Sequence, residues 1–312
     1  MSWLRKHGPQ VFRRFTQLSV VAFVTYTAFG GPWRNFKLAH NNRRLVRLIE
    51  GEVWGFLYGL NEDMLSLFGE PLETSMEFLA FPWAGRIFGL DTADPILVGA
   101  SALRADVFQW DLLVAVAVPL LLAATLGKVF CSHLCPMRLV FEFGSAVRRG
   151  LERLDVPVGD FESEYRLGGW VLVGGLVAST ISNVGIWLFI LPYVSLSASV
   201  FLLVTSGTLT WLAAVVFGWF AVEAVVAPGY FCKNVCPTGF ILEQVGRFSL
   251  VQLVKKGSEP CPTGCDLCER SCPYGLRPMD RTHRPICDNC GKCASVCPSE
   301  RLVRRLPVVA VL

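Results

Sequence analysis

Histidine is scarce in this chain, and nucleotide-binding motifs are absent from it. Its four histidines are His7, His40, His133 and His283. None of them falls inside a long apolar stretch, which argues against a haem held by two histidines within a helical bundle. The sequence has no GxGxxG turn, no phosphate-binding loop and no threonine-rich flavin attachment motif. These absences exclude a hydride-transfer active site within the chain.

Charged residues are also few. They make up 17% of the chain, whereas hydrophobic residues make up 53% and the mean hydropathy is +0.46. This composition excludes a disordered chain and disfavours an ordinary soluble enzyme. The net charge of +4 is too small and too dispersed for a nucleic-acid-binding surface. Composition therefore predicts a membrane protein, and the twelve cysteines indicate that it handles metal.

Four stretches are long and apolar enough to cross a bilayer as helices. They lie near residues 15–33, 112–130, 168–191 and 197–226, and Pro192 divides the last two. The predicted fold is an α-helical membrane protein with a four-helix transmembrane bundle over 15–250, after a cytoplasmic N-terminus over 1–14. The alternative is a set of buried helices in a soluble protein.

The distribution of lysine and arginine predicts the orientation of these helices. Arg13 and Arg14 precede the first stretch, and most other basic residues fall in the 131–166 loop or after Cys232. By the positive-inside rule, both termini lie in the cytoplasm of a multi-pass protein of the bacterial inner membrane. The outer segment, 34–110, is expected to form short interfacial helices, either as the floor of a lipid or quinol pocket or as a structural cap.

The second and fourth stretches end in the same motif. Repeat 1, Phe130–Glu142, reads FCSHLCPMRLVFE, and repeat 2, Phe231–Glu243, reads FCKNVCPTGFILE. Identities at matching offsets indicate an internal duplication. The bundle is therefore predicted to consist of two helix-pair repeats related by an axis along the membrane normal.

Each repeat carries two cysteines in the pattern FCxxxCP. Because a residue before proline avoids helical geometry, Cys135 and Cys236 are expected in turns that precede new helices. A helix N-terminus favours a thiolate. The four repeat cysteines, Cys131, Cys135, Cys232 and Cys236, are therefore candidates for one shared metal or redox site. Docking or redox motifs without a metal, and inert packing, remain as alternatives.

The strongest metal signal lies in the C-terminal tail, residues 251–312. Cys287, Cys290, Cys293 and Cys297, followed by proline, match the bacterial ferredoxin run, in which the fourth cysteine binds the other cluster. An upstream run matches except for one extra residue after Cys261. The tail therefore predicts two [4Fe–4S] clusters in a small ferredoxin-like domain, with cluster 1 held by Cys261, Cys265, Cys268 and Cys297 and cluster 2 held by Cys272, Cys287, Cys290 and Cys293.

The irregular spacing makes a three-iron cluster the alternative at the first site. Zinc sites usually space their cysteine pairs differently, and disulfides require an oxidising compartment. Among ionisable residues in the four apolar stretches, Glu223 alone lies clear of a helix end. A carboxylate there is a candidate proton acceptor for a quinol, and a structural hydrogen-bonding role is the alternative.

These features together resemble the NapH/NosR/RdxA group of membrane ferredoxins, with a layout closest to the NapH and MauN types. The resemblance rests on RRFTQ before the first stretch, the two FCxxxCP motifs and the two-cluster tail. It implies quinol oxidation, with electrons relayed through the clusters to or from a partner redox complex. The long outer segment and the spacing after Cys261 depart from the pattern.

Three functional hypotheses follow. The first is an electron-transfer subunit of a quinol dehydrogenase-type complex, whose partners are membrane lipid, the quinone pool and redox subunits, without nucleic acid. The second is a redox-driven assembly factor for a metalloenzyme, as in the RdxA/CcoG type, with metal at the repeat cysteines and no quinol turnover. The third is a redox sensor whose tail signals the state of the clusters.

Overall fold

The computed structural model describes residues 2–40, 51–81, 84–87, 89–103, 110–159, 161, 166–182, 184–256, 261, 265–279, 286–299 and 301–305. The helices within these residues are α1 (Ser2–His40), α2 (Glu52–Ser66), α3 (Pro71–Met76), α4 (Pro95–Ala102), α5 (Trp110–Leu126), α6 (Pro136–Arg153), α7 (Gly168–Ile181), α8 (Trp187–Ile190), α9 (Pro192–Ser206), α10 (Leu212–Ala221), α11 (Pro237–Gly246), α12 (Leu267–Arg270) and α13 (Lys292–Val296). The strands are β1 (Phe78–Phe81), β2 (Ala84–Ile87), β3 (Leu90–Ala93), β4 (Gln252–Lys255) and β5 (Leu302–Arg305).

The strands form two small antiparallel sheets. β1, β2 and β3 are paired in chain order, with Phe78 opposite Ile87 and Ala84 opposite Ala93. β4 pairs with β5, so the cysteine runs of the tail lie between two paired strands. The first sheet lies in the outer segment, for which only short helices were expected; α2, α3 and α4 are present there beside it.

The prediction of a four-helix transmembrane bundle is wrong. Across the described part of the chain, no helix is both long enough and apolar enough to cross a membrane. The predicted multi-pass placement in a bacterial inner membrane is corrected by the same finding.

Helix breaks and polar residues account for the difference. α1 has 39 residues, but Gln17 and several threonines interrupt its apolar stretch. The second predicted span is a 17-residue helix, α5, which ends just before Gly127 at φ 75°. The third is α7, with 14 residues, followed by a 3₁₀ turn and the short α8. The fourth is divided at Gly207, whose left-handed backbone caps α9 before the 10-residue α10 begins.

Buried apolar residues of several helices form the core beside the repeats. Met137 and Phe141 of α6 pack with Val216 of α10 and Phe231, which directly precedes the first cysteine of repeat 2. A second cluster joins α4 to α8 and α9 around Trp187, which is fully buried. The core therefore holds the two repeats next to each other.

The final glutamate of each repeat is buried among cations. Glu142 contacts Arg13 and Arg14 of α1, Arg138 at 3.4 Å and Lys292 at 3.3 Å. Burial alone would raise the pKa of Glu142, but the surrounding cations, Arg138 first among them, lower it to about 2. The carboxylate is therefore ionised and joins α1, repeat 1 and the tail.

Repeat 2 has the equivalent arrangement. Glu243 contacts Arg166 and lies 3.6 Å from the buried Lys128. Lys128 lies three residues before the first cysteine of repeat 1. This ion pair therefore joins the two repeats across the core.

Glycines before both repeats allow the tail to pack closely against them. A methyl group at Gly229 would overlap the carbonyl oxygen of Pro273. A methyl group at Gly127 would lie 2.7 Å from the side-chain nitrogen (Nδ2) of Asn289. Both glycines have positive φ. Ser132 of repeat 1 also donates a hydrogen bond to the backbone oxygen of Asp288, at 2.8 Å. The tail is thus held against both repeats through its backbone.

We expect Glu142→Gln to lower the free energy of unfolding by about 3 kcal/mol at neutral pH, because it leaves buried cations without their carboxylate. Since the folded pKa of Glu142 lies below the unfolded value of about 4.3, this contribution is present above that pH and is lost as the pH falls toward 2. Melting followed by helical circular dichroism between neutral and acid pH tests this.

The matched control is Glu152→Gln on the same helix. Glu152 is 47% exposed and pairs with Arg148 one turn away, so its loss is expected to cost less than about 1 kcal/mol. A stability difference between wild type and Glu142→Gln that stayed constant as the pH fell would contradict the assignment.

Gly229→Ala is expected to loosen the tail, whereas Gly207→Ala is its matched control. The two glycines have similar φ angles, 72° and 66°, but no atom lies within 4 Å of a methyl group at Gly207. Gly207→Ala should therefore cost only the backbone strain, about 1 kcal/mol. Gly229→Ala must also displace Pro273, so it should accelerate proteolysis of the tail. Equal proteolysis rates for the two variants would rule out this close contact.

Candidate functional site

The two repeats place their cysteines in equivalent positions. Cys131 and Cys232 lie in π-helical turns, Phe130–Leu134 and Phe231–Val235. Cys135 and Cys236 follow in extended conformation, with ψ of 116° and 113°, and cap α6 and α11, each of which begins with proline. The prediction that each CP step ends a turn and begins a helix is confirmed. At Cys236 the sulfur also accepts a hydrogen bond from Gly239 N, at 3.3 Å.

All four repeat cysteines line one cavity of about 260 Å³, which we call the four-thiol cavity. Its other lining side chains are mostly apolar and include Val20, Phe23 and Val24 of α1 and Ile87 of β2. Among the described residues, no three histidine, cysteine or acidic side chains are grouped closely enough to chelate a single metal ion. The repeats thus surround one shared space with four sulfur atoms.

Burial controls the protonation of these thiols. It raises the pKa of Cys135 to about 12 and raises those of Cys131, Cys232 and Cys236 as well. Lys128 partly offsets the effect at Cys131 and Cys236. A bound metal centre must therefore displace protons from neutral thiols, which makes its binding dependent on pH.

The four-thiol cavity also has a polar side, formed by Asp94, Tyr193 and Thr238. One oxygen of Asp94 accepts a hydrogen bond from Ile96 N at 2.8 Å and so caps α4. The other oxygen accepts hydrogen bonds from the hydroxyls of Tyr193 and Thr238. Burial raises the pKa of Asp94. Sequence analysis missed this residue because an aspartate before proline indicates only a helix cap.

Glu223 does not line the four-thiol cavity. Its oxygens accept hydrogen bonds from the backbone nitrogens of Gly229 and Phe231, the latter at 2.7 Å. Burial raises the pKa of Glu223 to about 7. These bonds hold the turn that precedes repeat 2, and its role as a proton acceptor for quinol stays a prediction.

A second cavity, of about 150 Å³, lies in the tail and is called the tail cavity here. Its lining includes the four cysteines assigned to cluster 2, Cys272, Cys287, Cys290 and Cys293. Cys272 comes from the first cysteine run and the other three come from the second. The structure therefore brings together the crossed set that the ferredoxin pattern predicts.

Three of the cysteines assigned to cluster 1, Cys261, Cys265 and Cys268, are half-buried, whereas Cys297 is buried. Partial burial raises the pKa of Cys268, and the thiols of Cys261 and Cys297 raise it further, so these three lie near one another. The extra residue of the first run falls within 262–264, which lies outside the described residues.

Cations outnumber carboxylates in the ion-pair network around the repeats. Within the described structure, three carboxylates, Glu142, Glu243 and Asp288, contact six cations, Arg13, Arg14, Lys128, Arg138, Arg166 and Lys292. Arg138 is buried and acts electrostatically on the thiols of Cys131, Cys135 and Cys232. Three of the six cations, Arg13, Lys128 and Arg138, are buried, and the other three are partly exposed. The buried charges of Lys128 and Arg138 beside the thiols suit an anionic group held by thiolates.

A family model described as a 4Fe-4S binding domain matches the chain twice, at residues 108–154 and 208–256. Each match contains one repeat and its two cysteines. The twofold match therefore coincides with the internal duplication rather than with the cysteine runs of the tail. No solved structure matches the chain.

Several curated proteins are similar over much of their length. The methylamine utilization ferredoxin-type protein MauN of Paracoccus denitrificans is 28% identical, over 96% of this chain and 80% of that protein. MauN of Methylorubrum extorquens is 30% identical, over 64% and 72%. The ferredoxin-type protein NapH of Escherichia coli is 26% identical, over 96% and 89%. This chain therefore belongs to the NapH/MauN-type family of ferredoxin-type iron–sulfur proteins.

Proposed function

We propose that this protein transfers electrons between the four-thiol cavity and the tail, and from the tail to or from a partner redox protein. The observation that carries the proposal is the pair of adjoining cavities, each lined by four cysteines. When bound, a [4Fe–4S] cluster supplies a one-electron redox couple.

The tail cavity fits a [4Fe–4S] cluster. Cys272, Cys287, Cys290 and Cys293 supply four sulfur ligands around a space many times larger than one water molecule needs. Asp288 and Asn289 lie between two of these cysteines. Asn289 donates hydrogen bonds to the backbone oxygens of Leu126 and Val251, at 2.8 and 2.9 Å, and so anchors the ligand loop.

The four-thiol cavity fits a third [4Fe–4S] cluster. A cubane bonds its four thiolates to four different irons, so it suits cysteines that surround a space rather than converge on one point. Lys128 and Arg138 supply buried positive charge beside these thiols. The family match on both repeats supports the same assignment.

The two cysteine sets of the tail suggest an inner and an outer position. The ligand loop of the tail cavity contacts repeat 1 through Asp288 and the end of α5 through Asn289. Among the cysteines assigned to cluster 1, by contrast, Cys261, Cys265 and Cys268 are only half-buried, and the neighbouring Arg270 is 77% exposed. We therefore assign the cysteines of cluster 1 as the point of electron exchange with the partner.

A quinol is the proposed electron donor in the four-thiol cavity. The apolar lining from α1 and β2 suits a hydrophobic ring, and the polar side suits its hydroxyl groups. Oxidation of a quinol releases two electrons, which one-electron centres accept singly, and two protons. Asp94 lines the cavity and Glu223 does not, so Asp94 is our first candidate to accept a proton.

Iron analysis tests the number of centres. We expect about twelve irons and about twelve acid-labile sulfides per chain in wild type, and about eight in Cys131→Ser/Cys232→Ser. Electron paramagnetic resonance (EPR) of the dithionite-reduced proteins should show the loss of one signal. The tail variant Cys272→Ser/Cys287→Ser is the matched control and should lose a different signal.

Eight irons in both wild type and the repeat variant would contradict a centre in the four-thiol cavity. Copper or zinc bound there in place of iron would instead favour the assembly-factor hypothesis. Fewer than eight irons in wild type would contradict the two-cluster tail.

Quinol-dependent reduction tests the donor. We expect duroquinol to bleach the iron–sulfur absorbance of wild type, and Asp94→Asn to slow this about a hundredfold while leaving reduction by dithionite unchanged. Asparagine is also a good helix cap, so α4 should stay intact.

Glu223→Gln is the matched comparison and should leave the duroquinol rate unchanged. The opposite result, slow reduction in Glu223→Gln alone, would restore Glu223 as the proton acceptor. Failure of duroquinol to reduce the wild type would contradict the quinol assignment.

A further inference from the structure

The four-thiol cavity and the tail cavity meet at one side chain. Of the described residues, only Tyr274 lines both cavities. It follows Cys272 by two positions, so a continuous stretch of chain leads from a ligand of the tail cavity to the wall of the other cavity. Tyr274 therefore belongs to the wall of both cavities.

Several contacts hold this ring in one orientation. Tyr274 is buried, with 3% of its surface exposed, and its hydroxyl donates a hydrogen bond to Asp288 at 3.2 Å. The guanidinium of Arg138 lies over the ring, 4.8 Å from its centroid. Arg138 also pairs with Asp288 at 3.3 Å. The ring is therefore clamped by a cation of repeat 1 and a carboxylate of the tail.

The backbone of Tyr274 is held by the turn that precedes repeat 2. Gly229 lies in this turn, and a methyl group there would overlap the carbonyl oxygen of Pro273 and lie 3.4 Å from the Cα of Tyr274. Arg138 of repeat 1 and the turn before repeat 2 thus both contact the segment around Tyr274.

We propose that electrons pass between the centre in the four-thiol cavity and cluster 2 through the ring of Tyr274. The inference rests on the proposed function. In each transfer one centre is oxidised by one electron and the other is reduced by one electron, with no bond made or broken and no proton moved. Tyr274 remains neutral and closed-shell, and its packed ring replaces a gap across which electronic coupling would be weaker.

Transfer kinetics test the proposal. Holo-protein is mixed with less than one equivalent of dithionite and freeze-quenched, and EPR follows how the electron is distributed between the two centres. Tyr274→Leu should slow this redistribution several-fold, whereas Tyr274→Phe, which keeps the ring and loses the hydroxyl, should retain the wild-type rate. Phe143→Leu, which removes an exposed aromatic ring that lines neither cavity, is the matched control and should also retain it.

A second measurement does not depend on Tyr274→Leu retaining its clusters. Wild-type protein containing ring-deuterated tyrosine should show deuterium couplings to both reduced centres in pulsed EPR. Tyr274→Phe should lose the coupling at cluster 2 and lose part of it at the repeat centre, where Tyr193 also lines the cavity.

The outcomes separate this inference from the proposed function. Two results would overturn the role of Tyr274 alone. One is an unchanged rate of electron redistribution in a Tyr274→Leu variant that retains its full iron content. The other is the absence of deuterium coupling from Tyr274 at one of the two centres when both centres are detected. Absence of any EPR signal from the repeats in wild type would overturn the third centre, and the role of Tyr274 with it.

Discussion

The pairing of buried carboxylates with buried cations is the constraint on which this structure depends. Glu142 and Glu243 occupy the same position in the two repeats, and each is almost fully buried. A buried carboxylate is tolerated only with charged or hydrogen-bonding partners. Its partners come from distant parts of the chain: α1 and the tail for Glu142, and the residues before repeat 1 and before α7 for Glu243. The buried glutamate at the end of each repeat therefore determines how these distant segments pack together.

This pairing is asymmetric although the repeats are alike. Lys128 precedes repeat 1 but pairs with Glu243 of repeat 2, while Arg138 of repeat 1 acts on the thiol of Cys232 and pairs with Asp288 of the tail. Apart from the contact of Arg138 with Glu142 within repeat 1, both glutamates are paired by cations from outside their own repeat. The four-thiol cavity consequently requires both repeats, and the placement of the tail requires that cavity to be assembled.

The sequence allowed prediction of features that depend on local rules. The turn at each CP step follows from the backbone of proline. The four cysteines that ferredoxin spacing assigns to cluster 2 line one cavity, and their role as cluster ligands stays a prediction. The apolar stretches were misinterpreted because composition does not reveal where a helix breaks, as at Gly207. Strands of four residues, such as β2, are too short to give a periodic signal. Asp94 and Tyr274 carry no motif, since their importance lies in contacts between distant segments.

Buried cations beside the thiols explain why the ligands alone do not define the site. Burial raises the pKa values of the repeat thiols, so these sulfur atoms lie as neutral thiols beside Lys128 and Arg138. In the proposed holo-protein, an iron–sulfur group would replace the thiol protons and place negative charge next to Lys128 and Arg138. These two cations also contact Glu243 and Asp288, and so they help to join the repeats and the tail. Cluster loading and docking of the tail should therefore reinforce each other, because both draw on the same buried cations.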